Sequence, residues 1–180
     1  ESGQVYRRVR DECMSRLDIA GWSGFTPTVI LYPSGISRMV RNDEGIGSFH
    51  SETGAARFLE LLAKIWPGVP STEIARTFDP GGEARCAADA PTGISLARDV
   101  VVADDGIWRG NTTRELIQVA ARAGARRILV VTLLNRLSGK EAANLEAQKV
   151  LRDTNTGEDI EVCYCLPMLF PVPYTSASNS

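Results

Sequence analysis

Two adjacent carboxylates, Asp104 and Asp105, follow the apolar run Val100-Val101-Val102-Ala103 and precede Gly106-Ile107-Trp108-Arg109-Gly110-Asn111-Thr112-Thr113. Paired acids can hold hydroxyls, a metal, or both. A glycine-containing turn that opens a helix can hold an anion. The first N–H groups of a helix lack intrahelical partners and sit at the positive end of its dipole. Gly106 and Gly110 allow the backbone to approach a ligand closely. Thr112 and Thr113 add hydroxyl donors. Carboxylates repel a phosphate, so the acids must face another part of the same ligand. Ribose hydroxyls beside a phosphate meet that requirement, with Mg²⁺ neutralising the charge.

These residues need a strand and a helix to position them. Val100–Ala103 is short, β-branched and without polar alternation, the pattern of a strand buried on both faces. A helix is expected from Thr113 to Ala123, with Thr112 as N-cap and Glu115 completing a capping box. Leu116, Val119, Ala120 and Ala123 form its apolar face, and Gly124 ends it. No Gly-x-x-x-x-Gly-Lys-[Ser/Thr] run occurs, which disfavours a P-loop nucleotidase. A receiver-type acidic pocket is the rival reading of the acid pair, but it does not predict the Gly-Asn-Thr-Thr helix start.

The stretch 100–113 resembles the phosphoribosyl pyrophosphate (PRPP) loop of type I phosphoribosyltransferases. Its Asp-Asp-Gly-Ile-Trp-Arg-Gly-Asn-Thr version is most similar to amidophosphoribosyltransferases, which also carry Arg-Gly there. The resemblance implies that Asp104 and Asp105 hold the ribose 2′ and 3′ hydroxyls. It also implies that Gly106, Ile107, Trp108, Arg109, Gly110, Asn111, Thr112 and Thr113 wrap the 5′-phosphate. Mg²⁺ is the implied cofactor, near Asp104 and Asp105 through the ribose hydroxyls or water.

Two further segments resemble parts of the same family. Tyr32-Pro33-Ser34-Gly35 ends an earlier strand and is similar to the pyrophosphate loop, one residue shorter; Pro33, Ser34 and Gly35 are then diphosphate ligands. Arg76-Thr77-Phe78 is similar to the opening of the flexible catalytic loop. Arg76 joins Asp104 and Asp105 as a catalytic candidate, and Arg85, in the segment that follows, is a further diphosphate ligand. The implied activity is transfer of a phosphoribosyl group from PRPP to a nitrogen acceptor with release of diphosphate. Two alternatives carry the same loop: a regulator that binds PRPP or a nucleotide without turnover, and an interaction module of a larger assembly. Segment 50–70 adds a helix where the family has a shorter connection, and residues 135–180 match no acceptor-binding hood. No glutaminase portion precedes the loop, so an ordinary amidophosphoribosyltransferase is not expected.

The remaining sequence fits a single α/β domain over 1–180, with a lead-in at 1–27, a core at 28–134 and a helix, strand and irregular tail at 135–180. Expected elements are a helix at 4–18, a strand at 28–32, a short helix at 36–41 and a helix at 52–65. A long loop follows at 79–95, then a strand at 127–134, a helix at 139–151 and a strand at 159–166. Gly45-Ile46-Gly47 reads as a break. The net charge is −2, so nothing draws the chain globally to nucleic acid or an anionic membrane. Arg7, Arg8 and Arg10, and Arg122, Arg126 and Arg127, read as solvated faces. The run Ile128–Leu134 falls far short of the roughly 20 residues that span a bilayer. The four cysteines have no zinc-type spacing and read as free thiols, which suits a cytoplasmic protein. His50, the single histidine, reads as a loop or cap residue. Homodimerisation is compatible with the family resemblance.

Overall fold

The computed structural model describes residues 2–34, 38–42, 45–49, 52–78, 80, 84–86, 98–107, 110–135, 137–153 and 156–166. Its centre is a six-stranded sheet. The strands are β1 (Val29–Pro33), β4 (Ser71–Ile74), β7 (Asp99–Ile107), β8 (Arg127–Asn135), β9 (Val150–Arg152) and β10 (Asp159–Cys165), in the order β4-β1-β7-β8-β10-β9. All neighbours are parallel except the β9–β10 edge pair. Two hairpins stand apart: β2 (Arg38–Asn42) with β3 (Gly45–Phe49), and β5 (Arg76–Phe78) with β6 (Ala84–Cys86).

The unbroken apolar runs of β7 and β8 place alternate residues on opposite faces. Val100, Val102, Ile128 and Val130 pack with Leu116, Ile117, Val119 and Ala120 of α3 (Asn111–Arg122) and Leu145 of α4 (Gly139–Ala147). Val101, Ala103, Leu129 and Val131 face the other way. They meet Val9, Cys13 and Leu17 of α1 (Ser2–Ile19), and Phe58 and Leu62 of α2 (Glu52–Ile65). The result is a helix–sheet–helix sandwich, the α/β class with a mainly parallel sheet expected from the sequence. Among the described residues, no helix is long and apolar enough to cross a membrane.

Several elements differ from the sequence reading. The short helix expected at 36–41 is replaced from Arg38 onward by strand β2, and the supposed break at 45–47 lies in β3. The antiparallel ladder between them supplies hydrogen bonds that outweigh the poor strand preference of glycine. The helix begun at Gly139 stops at Ala147, and Val150–Arg152 instead pairs with β10. Strand β4 carries little apolar signal, because only Ile74 of its four residues is buried. The loop expected at 79–95 contains β6; its parts at 79, 81–83 and 87–95 lie outside the described residues.

An ion pair at the other end of the sheet joins β7 to β8. The Arg127 guanidinium donates Nε to Asp99 Oδ1 at 2.8 Å and Nη2 to Asp99 Oδ2 at 2.5 Å. It also lies over the stacked rings of Trp22 and Phe25. Asp99 Oδ2 accepts from the Thr26 N–H at 2.9 Å, so one carboxylate ties the lead-in, β7 and β8 together.

Candidate active site

Parallel strands bring their C-terminal ends to one edge, where open α/β sheets bind ligands. Ser34 follows β1, Arg76 follows β4, and Asp104–Ile107 close β7. The N-terminus of α3 stands at the same edge. Three segments read separately in the sequence meet there. The Arg76 N–H donates to Ser34 Oγ at 2.9 Å, and the Arg76 Nη1 donates to Thr112 Oγ1 at 3.3 Å. Ser34 is itself held by its N–H to the Ile74 carbonyl at 2.8 Å.

The acids differ from each other in setting. β7 runs on past them to Ile107, with Asp104 level with Thr132 and Gly106 level with Leu134 of β8. Asp104, Asp105, Gly106 and Ile107 are therefore strand residues, and the turn is shorter than the sequence suggested. Asp104 is only 4% exposed, whereas Asp105 is exposed. Asp104 Oδ2 accepts from Thr113 Oγ1, and Asp104 Oδ1 from the Gly106 N–H, both at 3.4 Å. Burial, and then the neighbouring Asp105 charge, push the Asp104 carboxyl up to about 7. The Gly106 N–H, Arg76 and Thr113 oppose that shift.

The start of α3 corrects the sequence reading in a second way. The N-cap is Gly110, at φ 76°, which has no side chain to cap the helix. Thr112 lies inside the first turn, so the expected Thr112–Glu115 capping box is absent. Its hydroxyl serves Arg76, and Thr113, fully buried, serves Asp104. Among the described residues no side-chain acceptor serves the first-turn N–H groups of α3, and a left-handed glycine turns the chain into that end. Trp108, Arg109 and Gly35, also expected to touch the ligand, lie outside the described residues.

Arg85 on β6 makes a 3.4 Å ion pair with Glu115 of α3. Cys86, next to it and level with Arg76 across the hairpin, is buried. Burial and the Glu115 charge raise its thiol to about 11, which disfavours the thiolate at neutral pH. A cleft of about 110 Å³ flanks the Gly110 turn, lined by Gly110, Arg114, Leu137, Glu141, Asn144 and Leu145. Sequence reasoning missed this cleft, because α4 lies on it only through tertiary packing. A larger hollow of about 1050 Å³ surrounds Arg98, Asp99 and Arg127 at the opposite end of the strands. It lies away from the acids and the α3 N-terminus.

Asp104 and Asp105 provide hard oxygen donors of the kind magnesium uses. Such ions commonly take one or two protein carboxylates and fill the rest of their shell with substrate oxygens and water. Among the described residues, no group of three or more metal-ligating side chains is gathered.

Comparison with solved structures bears on the fold. The chain is similar to a hypoxanthine-guanine phosphoribosyltransferase from Bacillus anthracis, with a TM-score of 0.50 and 15% identity over 75% of this chain and 70% of that one. Similar structures include one from L. donovani (TM-score 0.48, 16% identity, 79% of this chain and 77% of that one). Another is a purine phosphoribosyltransferase from Pyrococcus horikoshii (TM-score 0.42, 19% identity, 72% of each chain). No protein-family model matches the sequence, and no curated protein matches it. The likeness is one of fold: the chain shares its architecture with the Bacillus anthracis phosphoribosyltransferase.

Proposed function

We propose that this protein is a phosphoribosyltransferase that binds PRPP with Mg²⁺ and transfers the phosphoribosyl group to a nitrogen acceptor, releasing diphosphate. The observation that carries this reading is the meeting of the acid pair, the uncapped α3 N-terminus and the Ser34–Arg76–Thr112 chain at one sheet edge. The 5′-phosphate sits on the N–H groups that begin α3, with the dipole favouring its charge. The loop residues Gly106 to Thr113 frame it. Asp105, exposed, and Asp104, behind it, accept from the ribose hydroxyls. Magnesium, when bound, supplies positive charge to the diphosphate oxygens.

Departure of diphosphate leaves positive charge on the sugar ring. The clamp on phosphate and hydroxyls fixes C1 toward the acceptor. Asp104 and Asp105 lie where that charge develops and favour it. Arg76 already ties the β1 turn to α3, and it meets the growing charge on the diphosphate along with Pro33, Ser34 and Gly35. Arg85 reaches the same group by exchanging Glu115 for diphosphate. The β5–β6 hairpin that carries both arginines then covers C1 and keeps water from intercepting it. In this reading the chain is one phosphoribosyltransferase-like domain acting in the cytoplasm, and its loop Asp104–Thr112 is most similar in type to amidophosphoribosyltransferases.

Calorimetric titration with PRPP, with and without Mg²⁺, tests the proposal when diphosphate release is followed in parallel. Hypoxanthine, guanine and simple amines are the first acceptors to try. Magnesium-dependent binding with acceptor-dependent diphosphate release is the expected outcome. Binding without release under every acceptor turns the reading toward a regulator, and absence of binding rejects it.

A further inference from the structure

The proposed reaction leaves the cysteines unused, and three of the four meet where α1 packs on β10. Cys13 and Cys165 are both fully buried, and their sulfurs stand 3.6 Å apart although 152 residues separate them. Cys163 lies on the same face of β10 and is only half-buried. Its sulfur is 3.6 Å from the Arg16 carbonyl, so it is directed to the helix backbone rather than to Cys13.

We infer that Cys13 and Cys165 are a disulfide-forming pair that, on exposure to a peroxide, covalently fastens the first helix to the last parallel strand. In the first step one thiol, as its thiolate, attacks a peroxide oxygen; the O–O bond breaks, and hydroxide leaves to take up the thiol's proton. In the second step the other sulfur attacks the resulting sulfenic acid, and the S–O bond breaks with loss of water. Two thiols and one hydrogen peroxide thus give one disulfide and two waters. A disulfide bond is about 2.05 Å long, so the sulfurs must close by roughly 1.5 Å.

The contact with Cys13, together with burial, holds the Cys165 thiol well above the usual thiol range. Oxidation therefore waits on loosening of α1, and is slower than at an exposed thiol. Once formed, the bond closes a very long loop, the case in which chain-entropy stabilisation is largest.

The full folded chain is exposed to hydrogen peroxide, the remaining thiols are blocked with N-ethylmaleimide in denaturant, and the digest is mapped by mass spectrometry without reduction. The expected result is a peptide pair linked through Cys13 and Cys165. It forms in wild type and in Cys163→Ser, and is absent in Cys13→Ser and Cys165→Ala. Thermal midpoints rise by roughly 5–15 °C on oxidation in the first two proteins and stay put in the others. Cys163 serves as an internal clock in wild type. If Cys13 and Cys165 are both recovered as free thiols after Cys163 has been oxidised, the inference fails. A Cys13–Cys163 link overturns it as well.

Discussion

Asp104 lies under the proposed ribose, and its burial carries a stability penalty that mutation should reveal. Its carboxyl is raised from 3.8 to about 7 in the folded chain, first by burial and then by Asp105. The folded state therefore holds a proton that the unfolded chain has already released between these values. The Asp104 contribution to stability is nil below about pH 4, grows more unfavourable as pH rises toward 7, and is constant beyond. The rise from 3.8 to about 7 corresponds to roughly 4 kcal/mol at full ionisation. Asp104→Asn keeps the shape, leaves an oxygen to accept from Thr113 or Gly106, and has no charge to bury. The variant should be more stable than wild type at pH 8 and nearly equal to it at pH 4. With a urea slope of about 2 kcal/mol per molar, the midpoint difference at pH 8 approaches roughly 2 M. Urea denaturation of both proteins at pH 4, 6 and 8 reads this directly. PRPP titration of the same variant should show affinity lost while the fold gains. A variant as stable as wild type at every pH, or less stable at pH 8, refutes the reasoning.

Two other substitutions separate folding from the site. Arg127→Met leaves Asp99, 7% exposed, without its bidentate partner. It should destabilise the protein by about 3 kcal/mol in denaturant titration while PRPP affinity stays within a factor of two, because the pair is at the far end of the sheet. Gly110→Ala meets only the Arg114 guanidinium at 3.9 Å, so its penalty comes from φ 76° rather than from a clash. A stability loss of about 1 kcal/mol is expected, and calorimetry should find PRPP binding weakened at least tenfold as the first turn of α3 moves.

The parts of the fold legible in the sequence are those whose burial is complete. Glu52–Ile65, with its apolar residues at helical spacing, is a helix with those bounds. β7 and β8 read as buried strands because apolar residues are needed on both of their faces. The extension of β7 through Asp104 to Ile107 was hidden, since acids and glycine are poor strand residues and only the parallel ladder to β8 holds them there. β4, β5, β6 and β9 were hidden for a related reason. Each has three or four residues and is defined by its partner rather than by its own pattern.

The candidate site shows why a local motif can identify a position and still misplace its hydrogen bonds. Thr112 and Glu115 have the spacing of a capping box, yet Gly110 begins the helix and leaves the Thr112 hydroxyl free of that duty. Ser138 and Glu141 have the same spacing at the start of α4, and there the box forms, with Glu141 N–H to Ser138 Oγ at 3.3 Å and Ser138 N–H to Glu141 Oε2 at 2.8 Å. The difference lies in what surrounds each helix start. At α4 the turn is exposed, so the local pairing wins. At α3 an arginine from a distant strand and a buried acid claim the two threonines, and among the described residues no side chain caps the helix N-terminus. In the proposed reaction that missing cap is the function, since a capping side chain would occupy the N–H groups assigned to the 5′-phosphate.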